Sequence, residues 1–182
     1  MKTTIRRNKA TISVLGGIGI LLIAALLLLP ATPVVAKTEK VKGRNVSQIN
    51  QMHVFKVGDV EGHIIAIYER RGLGFINGEV ATYLNQVMLD TTKGKGKVEG
   101  YIIYTFEDGS TTVSKFQGTL EPREGKRSAG EGTYTYIGGS GRFEGIEGSG
   151  SWTAKSYTPY TAEETKSDLV ADFSGTQTLP KK

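Results

Sequence analysis

Apolar and β-branched residues recur in short runs along most of the chain after residue 48, and Gly, Asp and Asn separate these runs. Runs of this length bounded by turn residues are typical of β-strands. The clearest alternation lies in 168–179, where Leu169, Ala171 and Phe173 share one parity and Asp172 lies on the other. A period of two residues predicts a strand with one buried face.

The whole pattern predicts eight strands and little helix. The predicted strands are 51–57, 62–71, 73–89 with a bend at Asn77-Gly78, 97–106, 111–120, 131–137, 142–157 and 168–179. Asp108-Gly109 and the Gly138–Gly141 stretch each separate two of these runs, which predicts hairpin turns at both places. The one candidate helix, 162–166, is too short to shape the fold.

Eight antiparallel strands with short turns favour a closed barrel, because closure removes the exposed edges of a sheet. A β-sandwich is the alternative. Gly148 and Gly150 share a face with Trp152, and glycine inside a strand marks a bend or a close contact, as strongly coiled barrel strands require. An eight-stranded barrel leaves room for packed side chains or for one small ligand.

The N-terminal segment predicts export. A basic stretch precedes the apolar run 12–29, and Val34-Val35-Ala36 places small residues before a possible cut at Lys37. This order is typical of a secretory signal peptide. An uncleaved anchor is the alternative, since 12–29 is just long enough to span a bilayer. The predicted regions are a signal or anchor over 1–36, a flexible leader over 37–48 and a barrel domain over 49–182. The barrel is expected outside the cytoplasm: secreted, periplasmic, at the cell surface or membrane-anchored.

Charge and composition exclude several function classes. The chain of 182 residues has a net charge of +5, but four of its 23 basic residues and none of its 18 acidic residues lie in 1–36. The remainder is nearly neutral, so charge does not indicate a nucleic-acid partner. The absence of cysteine excludes disulfides and Cys-ligated zinc. His53 and His63 are the only histidines and have no dense cluster of further ligands near them, so we predict no metal and no cofactor.

One stretch carries a family resemblance. Residues 132–148 read GTYTYIGGSGRFEGIEG. A strand that ends in Gly-Gly-Ser-Gly, followed by an aromatic residue, an acid, a glycine and an aliphatic residue, resembles a signature of the allene oxide cyclase and dirigent-like barrels. The resemblance extends over roughly 98–153. It implies a calycin-type eight-stranded antiparallel barrel with an apolar cavity, and a trimer. It also implies structural turn roles for Gly138, Gly139, Gly141 and Gly145.

Candidate ligand contacts come mainly from the aromatic residues, which are spread over nearly all the predicted strands. If they point inward, they either fill the barrel or line a cavity for an apolar ligand. Glu144 is added because the resemblance places its counterpart at a barrel mouth, and a polar side chain such as Asn85 could orient a ligand. The predicted ligand-binding residues are Tyr68, Asn85, Tyr104, Glu144 and Trp152.

Two further polar features have unspecific interpretations. Asn45-Val46-Ser47 fits a glycosylation sequon, which matters only in a eukaryotic secretory route. Arg70-Arg71 is a basic pair without a specific signal.

Three functions follow in order of preference. The first is an exported barrel that binds a hydrophobic small molecule without catalysis. The second is an isomerase or cyclase like the allene oxide cyclases, which needs a buried carboxylate with a raised pKa. The third is a structural or interaction module with a filled interior.

Overall fold

The computed structural model describes residues 36–158 and 167–180, which belong to one compact unit, Val35–Lys182. The predicted signal or anchor segment lies outside the described residues except for Ala36, and so does the candidate helix 162–166. None of the helices in the described part of the chain is long and apolar enough to cross a membrane.

The described residues form a closed barrel in which each strand pairs with its neighbours in chain order. The strands are β1 Lys37–Lys56, β2 His63–Ile76, β3 Glu79–Thr92, β4 Lys95–Phe106, β5 Thr111–Arg123, β6 Arg127–Ser140, β7 Glu147–Ser156 and β8 Leu169–Leu179. Every pairing is antiparallel, and β1 closes the barrel against β8. The predicted eight-stranded barrel is therefore confirmed, and the sandwich alternative does not hold.

Strand β1 begins earlier than the sequence pattern predicts. The segment predicted as a flexible leader, 37–48, is the first half of β1, and it pairs with β8 from Lys37 opposite Leu179 to Ser47 opposite Leu169. Its inward positions are mostly small or polar, with Val41 the large apolar exception, so the segment lacks a hydrophobic alternation. The edge of β8 would have no partner without this segment, and its backbone hydrogen bonds hold residues 37–47 as a strand.

Two predicted strand boundaries also differ from the structure. Asn77-Gly78 is a tight turn between β2 and β3, where Asn77 has φ +49° and Gly78 has φ +93°. Two consecutive positive φ values are what a two-residue hairpin turn requires. The strand predicted over 142–157 begins only at Glu147, because Gly141–Phe143 forms a short 3₁₀ helix before it.

Trp152 packs inside the barrel against glycines of the neighbouring strands. A Cβ added to Gly118 on β5 would lie 2.5 Å from the Trp152 ring, and one added to Gly132 on β6 would lie 2.8 Å from it. These glycines open the space that the indole ring occupies. The ring also stacks edge-on against Phe116, with centroids 5.8 Å apart.

The barrel interior is the hydrophobic core. The predicted parity of β8 is confirmed, because Leu169, Ala171 and Phe173 all line the interior. Ala66 and Val41, on β2 and β1, are among the most deeply buried side chains. The strand turns divide between the two ends of the barrel, and the side chains at those ends differ in charge.

Candidate functional site

The interior side chains enclose a cavity of about 70 Å³. Aromatic rings from seven strands line it and leave little free space: Tyr68, Tyr83, Tyr104, Phe116, Tyr134, Tyr136, Trp152 and Phe173. The rings contact one another, as in the pair Tyr83–Tyr104 at 5.7 Å and the pair Tyr134–Phe173 at 5.9 Å between centroids. The barrel is thus largely filled, with one small aromatic-lined space at its centre.

Hydroxyl and amide groups face the same cavity. Asn85 donates a hydrogen bond to the Tyr83 hydroxyl at 2.7 Å, and the Tyr104 hydroxyl donates to the Asn45 side-chain oxygen at 2.9 Å. Burial raises the pKa of both tyrosines well above the usual value, so both hydroxyls are neutral at physiological pH. The side-chain oxygen of Asn85 is buried and accepts no hydrogen bond.

Arg70 on β2 is the one charged side chain buried on the cavity wall among the residues described, with only 4% of its surface exposed. Its Nη1 donates to the Ser167 carbonyl at 2.8 Å, and its guanidinium lies 5.6 Å from the centre of the Tyr68 ring. Its Nε–H has no hydrogen-bond partner among the described residues. No carboxylate of the described residues forms an ion pair with it. A buried cation with a free donor therefore faces the aromatic cavity.

A second cavity of about 330 Å³ opens at the end of the barrel that carries the β3–β4 and β5–β6 turns. It shares the side chains of Tyr68, Arg70, Leu120 and Leu169 with the inner cavity. Its rim carries three further cations: Lys93, Arg123 and Arg127. No Asp or Glu among the described residues lines it, although Lys93 reaches Glu61 at 3.4 Å on the outside. We call this the cationic end.

Arg142 lies at the opposite end of the barrel, which we call the clamped end. The Arg142 guanidinium donates to Glu79, lies 3.5 Å from an Asp108 oxygen, and sits 4.8 Å from the ring centres of Phe106 and Phe143. The Ser110 backbone N–H, and more weakly Arg142, hold the pKa of Asp108 below its usual value. A cavity of about 310 Å³ lies beside this group, but here the cation is neutralised.

Four of the five predicted ligand-binding residues line the inner cavity: Tyr68, Asn85, Tyr104 and Trp152. Glu144 does not. It is exposed in the turn before β7, where its backbone N–H donates to the Gly141 carbonyl. The sequence reasoning missed Arg70 and treated it as half of an unspecific basic pair. Its position two residues after Tyr68 on the same strand is the signal that could have found it.

The four predicted turn glycines differ in how strongly the structure needs them. Gly141 and Gly145 have φ of +62° and +74°, which side-chain-bearing residues rarely adopt. A Cβ added to Gly139 would lie 2.5 Å from the Phe143 carbonyl oxygen. A Cβ added to Gly138 would meet no atom within 4 Å, and this residue lies within β6.

His63 is held between two carboxylates near the cationic end. Its Nδ1 lies 2.6 Å from Asp59 and its Nε2 lies 2.8 Å from Asp90. These contacts, Asp90 first, raise the pKa of His63. Within 36–158 and 167–180 no group of three or more His, Asp or Glu is arranged to hold a metal ion.

The predicted glycosylation sequon lies inside the barrel. Asn45 is 2% exposed and accepts the hydrogen bond from Tyr104, so the folded barrel does not present its amide to solvent.

The isomerase alternative depends on a buried acid, and the described carboxylates do not provide one. Every Asp and Glu in that part of the chain is exposed or half-buried. Each carboxylate among them whose pKa departs from its usual value is shifted downward: Glu39, Asp59, Asp108 and Asp172.

Comparison with known proteins gives fold relatives only. No protein-family model matches the chain, and no curated protein matches it. The chain is similar in fold to dirigent proteins. One is the pterocarpan synthase dirigent protein GePTS1, at 10% identity and a TM-score of 0.45, with 83% of this chain and 90% of that chain covered. Another is the pterocarpan synthase dirigent protein PsPTS1, at 12% identity and a TM-score of 0.42, with 81% and 97% covered.

Proposed function

We propose that this protein is an exported barrel that binds a hydrophobic small molecule in its interior and carries out no chemistry on it. The observation that carries the proposal is the buried polar pair on the wall of the aromatic cavity. The Arg70 Nε–H and the Asn85 side-chain oxygen are both buried, and neither has a hydrogen-bond partner in the part of the chain that the structure describes. Buried polar groups in native proteins are nearly always paired, and an unpaired one points to a missing partner.

The shape of the interior is compatible with such a ligand. The inner cavity of about 70 Å³ admits a narrow group between the rings, and the adjoining cavity of about 330 Å³ admits the rest of a small molecule. Small-molecule sites are concave and mostly apolar, with a few polar groups that fix orientation. A filled structural barrel has no need of unpaired donors and acceptors on its inner wall.

Export is supported by residues 1–36 and by where the barrel begins. Strand β1 starts at Lys37, the residue after the expected cut, so cleavage there leaves the whole strand in the mature chain. The test is intact mass and N-terminal sequencing of the protein recovered outside the cytoplasm, with Ala36→Leu as a variant that blocks the cut. A mature chain that keeps residues 12–29 supports the anchor instead, and a product that stays in the cytoplasm rules out export.

Binding can be read directly from Trp152, because it is the only tryptophan of the chain and lines the inner cavity. The neutral dye N-phenyl-1-naphthylamine is titrated into the folded protein while Trp152 emission is followed. We expect saturable quenching at one site. Ala171→Leu, which fills the inner cavity, is expected to weaken binding at least about tenfold.

Ala129→Leu is the matched control, since Ala129 lies on β6 outside the cavity lining and pairs with Lys155. It should bind the dye as the wild type does. Absence of saturable quenching in the wild type, or equal weakening in both variants, would sink the proposed binding role.

A further inference from the structure

We infer that the ligand carries an anionic group, such as a carboxylate or sulfonate, that enters at the cationic end and pairs with Arg70. This inference rests on the proposed function, because it names the chemical class of the molecule bound in the same interior. It arises from the charges around the two adjoining cavities, which the aromatic lining alone does not explain.

The first step concerns Arg70 itself. Burying a guanidinium without a counter-charge is costly, and buried charges in proteins are normally paired. Arg70 is almost fully buried, and its described hydrogen-bond partners are the Ser167 carbonyl, the Ser167 hydroxyl at 3.5 Å, and the Tyr68 hydroxyl. All of these partners are neutral. An anion beside the Nε–H would supply in one contact a counter-charge and an acceptor that none of the described residues provides.

The second step concerns access. Arg70 lies on the wall of both cavities, so a group that enters through the outer cavity reaches it without opening the barrel. Leu120 and Leu169 also line both cavities and supply an apolar surface for the body of the molecule. An apolar molecule with one charged group fits this pairing of apolar walls and a single buried cation.

The third step concerns selection at the rim. Arg123 and Arg127 line the opening, Lys93 lines it and pairs with Glu61 on the outside, and no described carboxylate lines it. Cations of one sign around a low-dielectric opening raise the local concentration of anions and speed their association. The clamped end lacks this property because Glu79 and Asp108 neutralise Arg142. The opening at the cationic end is therefore the one whose lining favours an anion.

The test compares two dyes with the same aromatic body. 8-Anilinonaphthalene-1-sulfonate carries a sulfonate, and N-phenyl-1-naphthylamine is its uncharged counterpart. In the wild type we expect the sulfonate dye to bind about tenfold tighter or more, as a charge-assisted hydrogen bond in a buried site provides. In Arg70→Met and Arg70→Gln the sulfonate dye should bind no tighter than the neutral dye.

Arg71→Gln is the matched control, because Arg71 is the next residue of β2, faces outward and pairs with Glu69. It should keep the full preference for the sulfonate dye. Far-ultraviolet circular dichroism on each variant verifies that the barrel is folded. Two different replacements of Arg70 keep the test usable if one of them folds poorly.

The outcomes separate this inference from the proposed function. If the neutral dye binds and the sulfonate dye binds no tighter, or if the preference survives in both Arg70 variants, the anion site is wrong and the hydrophobic barrel stands. If neither dye binds, both the proposed binding function and the anion site at Arg70 are wrong. If Arg71→Gln abolishes the preference as fully as the Arg70 variants do, the attraction is a surface effect and the assignment to Arg70 fails.

Discussion

The two ends of the barrel use arginine in opposite ways. At the clamped end Arg142 lies between Glu79 and Asp108 and over two aromatic rings, so carboxylates of the protein itself neutralise its charge. At the cationic end Arg70 is more deeply buried, has only neutral described partners and keeps a free N–H. The first arrangement stabilises a fold, whereas the second is what a binding site for a charged molecule needs.

The largest expected effect is a loss of stability when Phe143, which packs at the clamped end, is replaced by alanine. Phe143 is 7% exposed and stacks on Phe106 with centroids 4.8 Å apart. Phe143→Ala should lower the free energy of unfolding by about 3–5 kcal/mol, because it removes a buried ring and leaves a cavity. Leu120→Ala, at the half-buried wall of the cationic end, should lower it by about 1–2 kcal/mol, below the usual range for buried leucine. Urea unfolding followed by circular dichroism measures both, and equal losses would contradict the difference between the ends.

The two arginines should respond with opposite sign when replaced by methionine. Arg142→Met should lower the free energy of unfolding by about 1–2 kcal/mol, since it removes two partly exposed ion pairs and two cation–π contacts. Arg70→Met should raise it by about 1 kcal/mol, since a desolvated charge is removed. The same urea unfolding experiment decides. A loss in Arg70→Met as large as that in Arg142→Met would show that Arg70 has a structural role like that of Arg142.

Tyr104 lies between the ends and lines both the inner cavity and the cavity of the clamped end. Tyr104→Phe removes the hydrogen bond to buried Asn45 and should lower the free energy of unfolding by about 1–2 kcal/mol, because an amide oxygen is left unpaired. Thermal unfolding of Tyr104→Phe is compared with that of Tyr101→Phe, whose ring is exposed on the outer face of β4. Tyr101→Phe should unfold at the same temperature as the wild type. A similar loss of stability in both variants would show that the buried hydrogen bond between Tyr104 and Asn45 does not stabilise the fold.

The smallest expected effect is the pH dependence of stability that arises from His63, near the cationic end. Because Asp90 and Asp59 raise its pKa, protonated His63 stabilises the fold fully below its ordinary pKa of 6.5, and this contribution is lost as pH rises through the raised pKa. The lowered pKa of Asp59 acts in the other direction, since its contribution is lost as pH falls below its usual value. Both contributions are fully present between the ordinary pKa values of the two groups, from about pH 4 to about pH 6.5.

Nuclear magnetic resonance titration of the His63 ring protons should give a pKa above 6.5 in the wild type. Replacing both Asp59 and Asp90 by asparagine should bring it back toward 6.5. An unchanged His63 titration in the double variant would show that the two carboxylates do not set its pKa.

Sequence reasoning found the barrel and much of its lining. The alternation in β8 correctly placed Leu169, Ala171 and Phe173 on one face. A strand with one buried and one solvent-exposed face alternates apolar and polar residues, so its sequence shows which side chains are buried. It missed the first half of β1, whose inward positions include Asn45 and Ser47. Such a strand shows no hydrophobic pattern, and only pairing with β8 reveals it.

The candidate site was found in part for the same reason. Tyr68, Asn85, Tyr104 and Trp152 were predicted as ligand contacts and do line the cavity. Arg70 escaped attention because an arginine beside another arginine is normally solvated, and nothing local marks one of the pair as buried. Glu144 was proposed from a family resemblance at a turn, and turn similarity does not fix where a side chain points.

The amino-acid sequence by itself determined the strand type, the number of strands and the tight turn at Asp108-Gly109, because these depend on residues close together in the chain. Tertiary structure alone decided that Arg70 is buried beside neutral partners, while Arg142 meets Glu79 and Asp108. Those environments are set by the register of distant strands around a closed barrel. Barrel closure brings together charged side chains that are far apart in the sequence, so a local sequence pattern cannot predict their pairing. Arg70, at the cationic end, has no described counter-charge.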